Sequence, residues 1–197
     1  MLVKICGITR PEDAEAAVRY GATALGFVFW PSSPRAIDPF RARAIARVVP
    51  PFVTIVGVFV NQPAEFVNEV SSLVGLGAVQ LHGDEPPSVA QRVRRPIVKA
   101  VSLRTPDVES TWSLPVMLLV DADDPVRRGG TGARADWSAA AALARRRPIV
   151  LAGGLTPDNV REAVDRVRPY GVDVSSGVES RPGVKDHQQL ARFFAQL

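Results

Sequence analysis

Short apolar runs, each closing on a polar or glycine-rich edge, recur eight times along this chain, over residues 3–6, 24–29, 54–59, 78–81, 97–101, 116–120, 149–152 and 171–174. Their near-continuous hydrophobicity suits parallel strands buried on both faces better than half-exposed antiparallel ones. Most of the intervals read as helices with recognisable starts. Thr9 and Pro11 open one that Gly21 ends after Tyr20, and Asp38 with Pro39 opens one to about Val49, before Pro50 and Pro51. Asn61 with Pro63 opens a third to about Leu73. Asp136 caps a run to about Arg145, Thr156-Pro157-Asp158 starts one through Val167, and Lys185 or Asp186 begins the last, near Leu197.

Between Val101 and Val116 the pattern breaks, because Pro106, Ser110, Thr111 and Ser113 leave little good helix. Eight βα units with that one exception predict an α/β protein, a compact (β/α)8 TIM barrel with a shortened or irregular fifth helix. At 197 residues the chain suits one barrel domain spanning 1–197 with lean loops. A doubly wound open sheet is the competing architecture. No Gly-x-Gly-x-x-Gly follows the first strand, which argues against a dinucleotide fold.

Charge narrows the choice of partner. Net charge is +4, and all of the 24 basic residues except Lys4, Lys99 and Lys185 are arginine. Arginine clusters at 92–95 and 145–147 raise nucleic-acid contact as a possibility. They fall at expected helix ends, where cations complement the dipole and face solvent, and no basic run is interleaved with aromatics. No nucleic-acid partner is therefore expected. The one cysteine excludes an internal disulfide and suits a reducing compartment. Residues 1–4 lead straight into a strand and no apolar run approaches bilayer length, so a soluble, cytoplasmic protein without membrane attachment is expected.

In a barrel of this kind the residues just after each strand converge on one face, where the active site lies. Here they are Cys6 and Gly7, residues 30–35, Asn61, His82 to Asp84, Ser102, Asp121, Gly153 and Gly154, and Ser175 to Gly177. Cys6 is a candidate acid/base or nucleophilic group, since a thiolate is reactive and its pKa follows neighbouring charge. A small buried hydrophobe is the competing reading for it. Gly153-Gly154 and Ser175-Ser176-Gly177 end the last two strands, where barrels commonly bind phosphate through main-chain N–H groups. The glycine run 128–132 lacks the Gly-Lys-Ser/Thr ending of a P-loop and suits a lid over the sixth strand. Lys4 shares strand parity with Cys6, so it should point inward and pair with an acid, with Asp173 the expected partner.

The motifs Lys-Ile-Cys-Gly-Ile-Thr at 4–9, Gly-Phe-Val-Phe with Ser-Pro-Arg within 26–35, and Val-Gly-Val-Phe at 56–59 form a recognisable set. Val-Gln-Leu-His-Gly-Asp-Glu at 79–85, Leu-Val-Asp at 119–121 and Gly-Gly-Thr-Gly with Asp-Trp within 129–137 extend it. Leu-Ala-Gly-Gly-Leu at 151–155 and Val-Asp-Val-Ser-Ser-Gly-Val-Glu at 172–179 complete it. From end to end the chain resembles the phosphoribosylanthranilate isomerase family. The resemblance implies an isomerase of tryptophan biosynthesis that converts N-(5-phosphoribosyl)anthranilate into 1-(2-carboxyphenylamino)-1-deoxyribulose 5-phosphate by an Amadori rearrangement. It implies Asp121 as the acid that opens the ribose ring and Cys6 as the base at C2.

For those roles an aspartic acid needs a raised pKa and a cysteine a lowered one. Arg35 then suits the anthranilate carboxylate, because a guanidinium fork matches a carboxylate. Gln80 and His82 alternate on the fourth strand and are assigned to substrate hydrogen bonding, a purely structural strand-end role being equally open for His82. The implied partner is a small phosphorylated substrate, handled by a monomer or homodimer, with no cofactor and no metal. Ala135 stands where the family pattern carries an aromatic before Asp-Trp, which bears on loop packing and not on the acid or base.

Three rival readings stand beside this one. Lys99 could serve an aldolase through a Schiff base if it pointed into a dry pocket. The analogous isomerisation of histidine biosynthesis is expected to carry aspartate where Cys6 stands. A phosphate-binding module that had lost its chemistry would have no need of both Cys6 and Asp121.

Overall fold

Each apolar run forms a strand of one parallel sheet, because β-branched and aliphatic residues at consecutive positions can be buried on both sides only between a barrel interior and a helical shell. The computed structural model describes residues 1–104, 108–122 and 135–197. Its strands are β1 (Leu2–Cys6), β2 (Ala24–Val28), β3 (Thr54–Phe59), β4 (Ala78–Leu81), β5 (Ile97–Val101), β6 (Met117–Val120), β7 (Ile149–Leu151) and β8 (Gly171–Val174). They close into a barrel in sequence order, with β1 pairing in parallel to both β2 and β8.

Side chains alternate between two packing layers. Inside the barrel lie small clusters, such as Ala24 with Val56 and Ala78, and Leu119 with Val150 and Ala152. Ile5, Leu25, Phe27, Phe59, Val79 and Leu81 point outward into the larger core beneath the helices. That shell comprises α1 (Pro11–Tyr20), α2 (Pro39–Ala46), α3 (Ala64–Val74), α4 (Pro87–Ala90), α5 (Val108–Thr111), α6 (Trp137–Ala144), α7 (Val160–Val167) and α8 (His187–Phe194). Asp38, Asp136 and Asp186 cap α2, α6 and α8 by accepting two backbone N–H groups each. Gly21 ends α1 in the left-handed conformation, with φ 112°. No helix among the described residues is long and apolar enough to cross a membrane.

The fifth helix is short, as expected, but so is the fourth. Proline at 86, 87 and 96 confines α4 to a single turn. A short hairpin, β9 (Glu179–Arg181) with β10 (Val184–Lys185), was not anticipated and precedes α8. Lys185 therefore belongs to a strand and not to a helix start. Nor do all of the arginines face water. Arg147 is 4% exposed and donates to the carbonyls of Trp112 (2.7 Å), Ser113 (3.2 Å) and Val116 (2.6 Å). It satisfies backbone acceptors in the connection where α5 is too short to do so. The glycine run 128–132 lies outside the described residues.

The seam between β1 and β8 carries a buried ion pair, Lys4 Nζ to Asp173 Oδ1 at 2.8 Å, between residues directly opposed in register. Removing one partner of such a pair strands the other charge in the interior. Asp173→Ala should therefore lower the free energy of urea unfolding by about 3–5 kcal/mol, with Asp173→Asn losing less because an acceptor remains. A loss below about 1 kcal/mol for the alanine variant, the range of an exposed pair, would mean that the seam does not depend on this contact.

Candidate active site

Cys6 is the last residue of β1 and opens toward the C-terminal mouth of the barrel, at 8% exposure. Gly7 follows with φ 77°, turning the chain so that its N–H and that of Ile8 both donate to the carbonyl of Gly26. Gly26 on β2 makes room for this corner. A Cβ there would stand 2.9 Å from the sulfur of Cys6 and 3.1 Å from the ammonium of Lys4. The thiol thus lies between a bare backbone and an ion pair.

Electrostatics at the sulfur run against the expectation from sequence. Burial pushes the Cys6 thiol up, and the charges of Lys4 and Lys185 offset only part of that, while Asp173 adds to it. Burial alone would lower Lys4, but Asp173 and Cys6 outweigh it and hold the ammonium firmly charged. Lys185 is lowered, first by burial, with Glu179 opposing. Its Nζ donates to the carbonyls of Cys6 (2.6 Å) and Ser175 (3.2 Å) and to Glu179 Oε1 (2.8 Å), tying the ends of β1 and β8 together.

Across the mouth, Asp121 directly follows β6. Its Oδ1 accepts from the N–H of Ala122 at 2.7 Å and its Oδ2 lies 3.2 Å from Nε2 of His82. His82 in turn contacts the Nε2 of Gln80 through Nδ1 at 2.7 Å. Gln80, expected to meet substrate, is 1% exposed with its amide turned onto His82. Arg35 already grips a carboxylate of the chain. Its Nε and Nη2 hold Glu179 at 3.0 and 2.7 Å, and Nη1 makes no hydrogen bond among the described residues. Glu179 is lowered, because Arg35 and Lys185 together overcome the effect of its burial.

The two glycine-rich strand ends meet beside this rim. Gly153 and Gly154 both adopt left-handed conformations, with φ 78° and 67°, and a Cβ at Gly153 would press on Ala122 N and Asp121 Oδ1. A Cβ at Gly177 would collide with the carbonyl of Leu155, so the loop after β8 rests on the loop after β7. Ser175 presents a buried hydroxyl with no partner among the described residues. Asn159 braces the first loop by donating to the carbonyl of Gly154 and accepting from the N–H of Thr156, each at 2.9 Å.

Four contributors escaped the reading of the sequence as functional groups. They are Gly26, Glu179, Lys185 and Asn159. Only Gly26 carried a usable signal, since glycine inside a strand marks close approach of another group. The aldolase reading loses its nucleophile. Lys99 faces the helical shell over Trp112 and is saturated by Leu81 O, Gly83 O and Glu85 Oε2.

Polar side chains gathered at the carboxyl ends of parallel strands define a (β/α)8-barrel enzyme. The chain belongs to the family described as N-(5'phosphoribosyl)anthranilate (PRA) isomerase, whose model matches residues 3–196. It is 52% identical over 198 residues to an N-(5'-phosphoribosyl)anthranilate isomerase of Geobacter sp. (strain M21), covering 98% of this chain and 96% of that protein. The crystal structure of phosphoribosyl anthranilate isomerase from Thermotoga maritima superposes with a TM-score of 0.91 at 46% identity, covering 100% of this chain and 98% of the other. A second crystal structure, of the isomerase in complex with reduced 1-(o-carboxyphenylamino)-1-deoxyribulose 5-phosphate, gives a TM-score of 0.87 at 45% identity over 100% and 97% of the two chains.

A thiol raised by burial holds little thiolate at neutral pH. Because Cys6 is the chain's one cysteine, its iodoacetamide labelling rate should rise along a titration whose midpoint lies above the ordinary thiol value of 9.0. Lys4→Met should move that midpoint higher still. A midpoint at or below the ordinary value would mean that the lysines dominate over burial.

Proposed function

We propose that this chain, acting as one (β/α)8 domain, catalyses the Amadori rearrangement of N-(5-phosphoribosyl)anthranilate to 1-(2-carboxyphenylamino)-1-deoxyribulose 5-phosphate, a step of tryptophan biosynthesis. The single observation that carries the residue roles is the placement of Cys6 and Asp121 at ends of β1 and β6 that open on the same mouth. Two chemically different proton-transfer groups there, beside a glycine-lined turn pair, suit a sugar phosphate with one reacting end.

Asp121 donates its proton to the ribose ring oxygen. The C1–O bond breaks onto that oxygen, and the nitrogen lone pair forms a cationic imine at C1. The carboxylate left on Asp121 is met by the N–H of Ala122, with His82 3.2 Å from its other oxygen, so its charge develops against a fixed donor and beside a polar ring. Cys6 as thiolate then takes the proton from C2, the C–H electrons form the C1=C2 bond, and the imine becomes a neutral enolamine. Tautomerisation of the enolamine gives the ketone. Before the proton at C2 is taken, the thiol's own proton leaves to solvent through the open mouth, and the positive charge of the imine favours the thiolate that remains, offsetting the burial that raises the resting thiol.

The phosphate fits the turn pair Gly153-Gly154 and Ser175-Ser176-Gly177, where glycine lets an anion reach main-chain N–H groups and the Ser175 hydroxyl still needs a partner. The substrate carboxylate fits the Nη1 side of Arg35, whose other edge is fixed by Glu179. His82 stands close enough to Asp121 to act on the acid rather than on the substrate. All of these groups come from one copy of the chain.

The fluorescence change on loss of N-(5-phosphoribosyl)anthranilate tests the assignment. Cys6→Ser and Asp121→Asn should each lower kcat by about 10²–10⁴, the usual contribution of a general acid or base, while product binding persists. Full activity in either variant removes that residue from the mechanism. An inactive parent protein rejects the assignment.

A further inference from the structure

His82 has a polar neighbour at each ring nitrogen. Nδ1 lies 2.7 Å from the amide nitrogen of Gln80, and Nε2 lies 3.2 Å from Oδ2 of Asp121. Gln80 sits on β4 between Val58 of β3 and Val98 of β5, so strand neighbours offer its amide no competing side-chain partner. An amide N–H can only donate, and the ring nitrogen facing it must then be the one without a proton. In a neutral imidazole this sends the single proton to Nε2, toward the carboxyl group. We infer that Gln80 is a positioning residue that locks the tautomer of His82 and thereby keeps the ring proton on the nitrogen that lies nearest to Asp121.

The orientation of the Gln80 amide agrees with this. With Nε2 on His82, a single carbonyl oxygen, Oε1, is left buried without a partner among the described residues. The reverse orientation would leave an NH2 group there, and unpaired buried N–H groups are rarer than unpaired carbonyls. A glutamine whose side chain has, among the described residues, no polar contact but another side chain's ring, and which leaves its oxygen without a partner there, is placed for that ring. The consequence for the reaction is specific. When Asp121 gives up its proton, Oδ1 is already matched by Ala122 N–H, and a proton on Nε2 of His82, 3.2 Å from Oδ2, places a partial positive charge beside the oxygen that becomes negative. In the other tautomer Oδ2 would face a lone pair.

This rests on Asp121 being the proton donor, and the test separates the two claims. The chain has two histidines, His82 and His187, so long-range ¹H–¹⁵N correlation of the ligand-free protein resolves each ring without turnover. His82 should show its proton on Nε2. Gln80→Met, which keeps length but removes the donor, should give a mixture of tautomers and lower kcat about tenfold, the worth of one hydrogen bond to a charged group, with KM changed less than about twofold. Gln80→Glu, which accepts instead of donating, should move the proton to Nδ1 and lower kcat as well, and it serves alone if the methionine variant does not fold. In a His82→Asn background neither Gln80 substitution should lower kcat further.

A proton found on Nδ1 in the parent protein would overturn the inference. So would an unchanged kcat in both Gln80 variants, or a rise in KM with the tautomer unaltered. If Asp121→Asn retains activity while the Nε2 tautomer is observed, the acid assignment fails and the lock remains.

Discussion

Burial of charge is the constraint on which this barrel is organised. The chain has three lysines, and all are buried, Lys4 and Lys185 at 3% exposure and Lys99 at 5%. An ammonium group removed from water is costly unless a carboxylate and further acceptors replace the hydration it loses. Each lysine has such a carboxylate, namely Asp173, Glu179 and Glu85 respectively. Each also joins elements that are adjacent in the barrel. Lys4 links β1 to β8, Lys185 holds the ends of the same two strands through Cys6 O and Ser175 O, and Lys99 fastens β5 to the loop after β4.

Two of these pairs surround the thiol. The groups that close the barrel at β1 and β8 are therefore the groups that set the electrostatic environment of Cys6, so the packing of this seam and the ionisation of the thiol cannot be tuned independently. The carboxyl side of the mouth is built differently. Asp121 accepts a backbone N–H, and His82, which contacts the Gln80 amide, lies 3.2 Å from its other oxygen. The thiol side of the mouth is thus lined by charges, and the carboxyl side by dipoles.

The strands were legible because burial on both faces forces continuous apolar runs, and the boundaries at 54–59, 78–81, 97–101 and 171–174 coincide with those observed. The single-turn α4 was harder to read because its prolines resemble a helix start as readily as a helix limit. The β9–β10 hairpin is too short to show a period. Cys6 and Asp121 could be picked out by position at strand ends, and the inward direction of Lys4 followed from parity, with Asp173 then the acid chosen for it. Lys185 could not, since its contact with Cys6 spans 179 residues of sequence. The direction of the thiol's shift was also hidden, because it is the balance of burial against two lysines and an aspartate, and only the folded chain sets that balance.

The division of labour between the two basic residue types has a practical side. Arginine supplies the outer charge, whereas every lysine nitrogen is enclosed and hydrogen-bonded. To an amine-directed label, cross-linker or immobilising surface, the folded protein offers no lysine to attack. Coupling at a lysine would require the barrel to open first, so lysine modification would report on unfolding, while the exposed Met1 offers its α-amino group to the same reagents in the folded state.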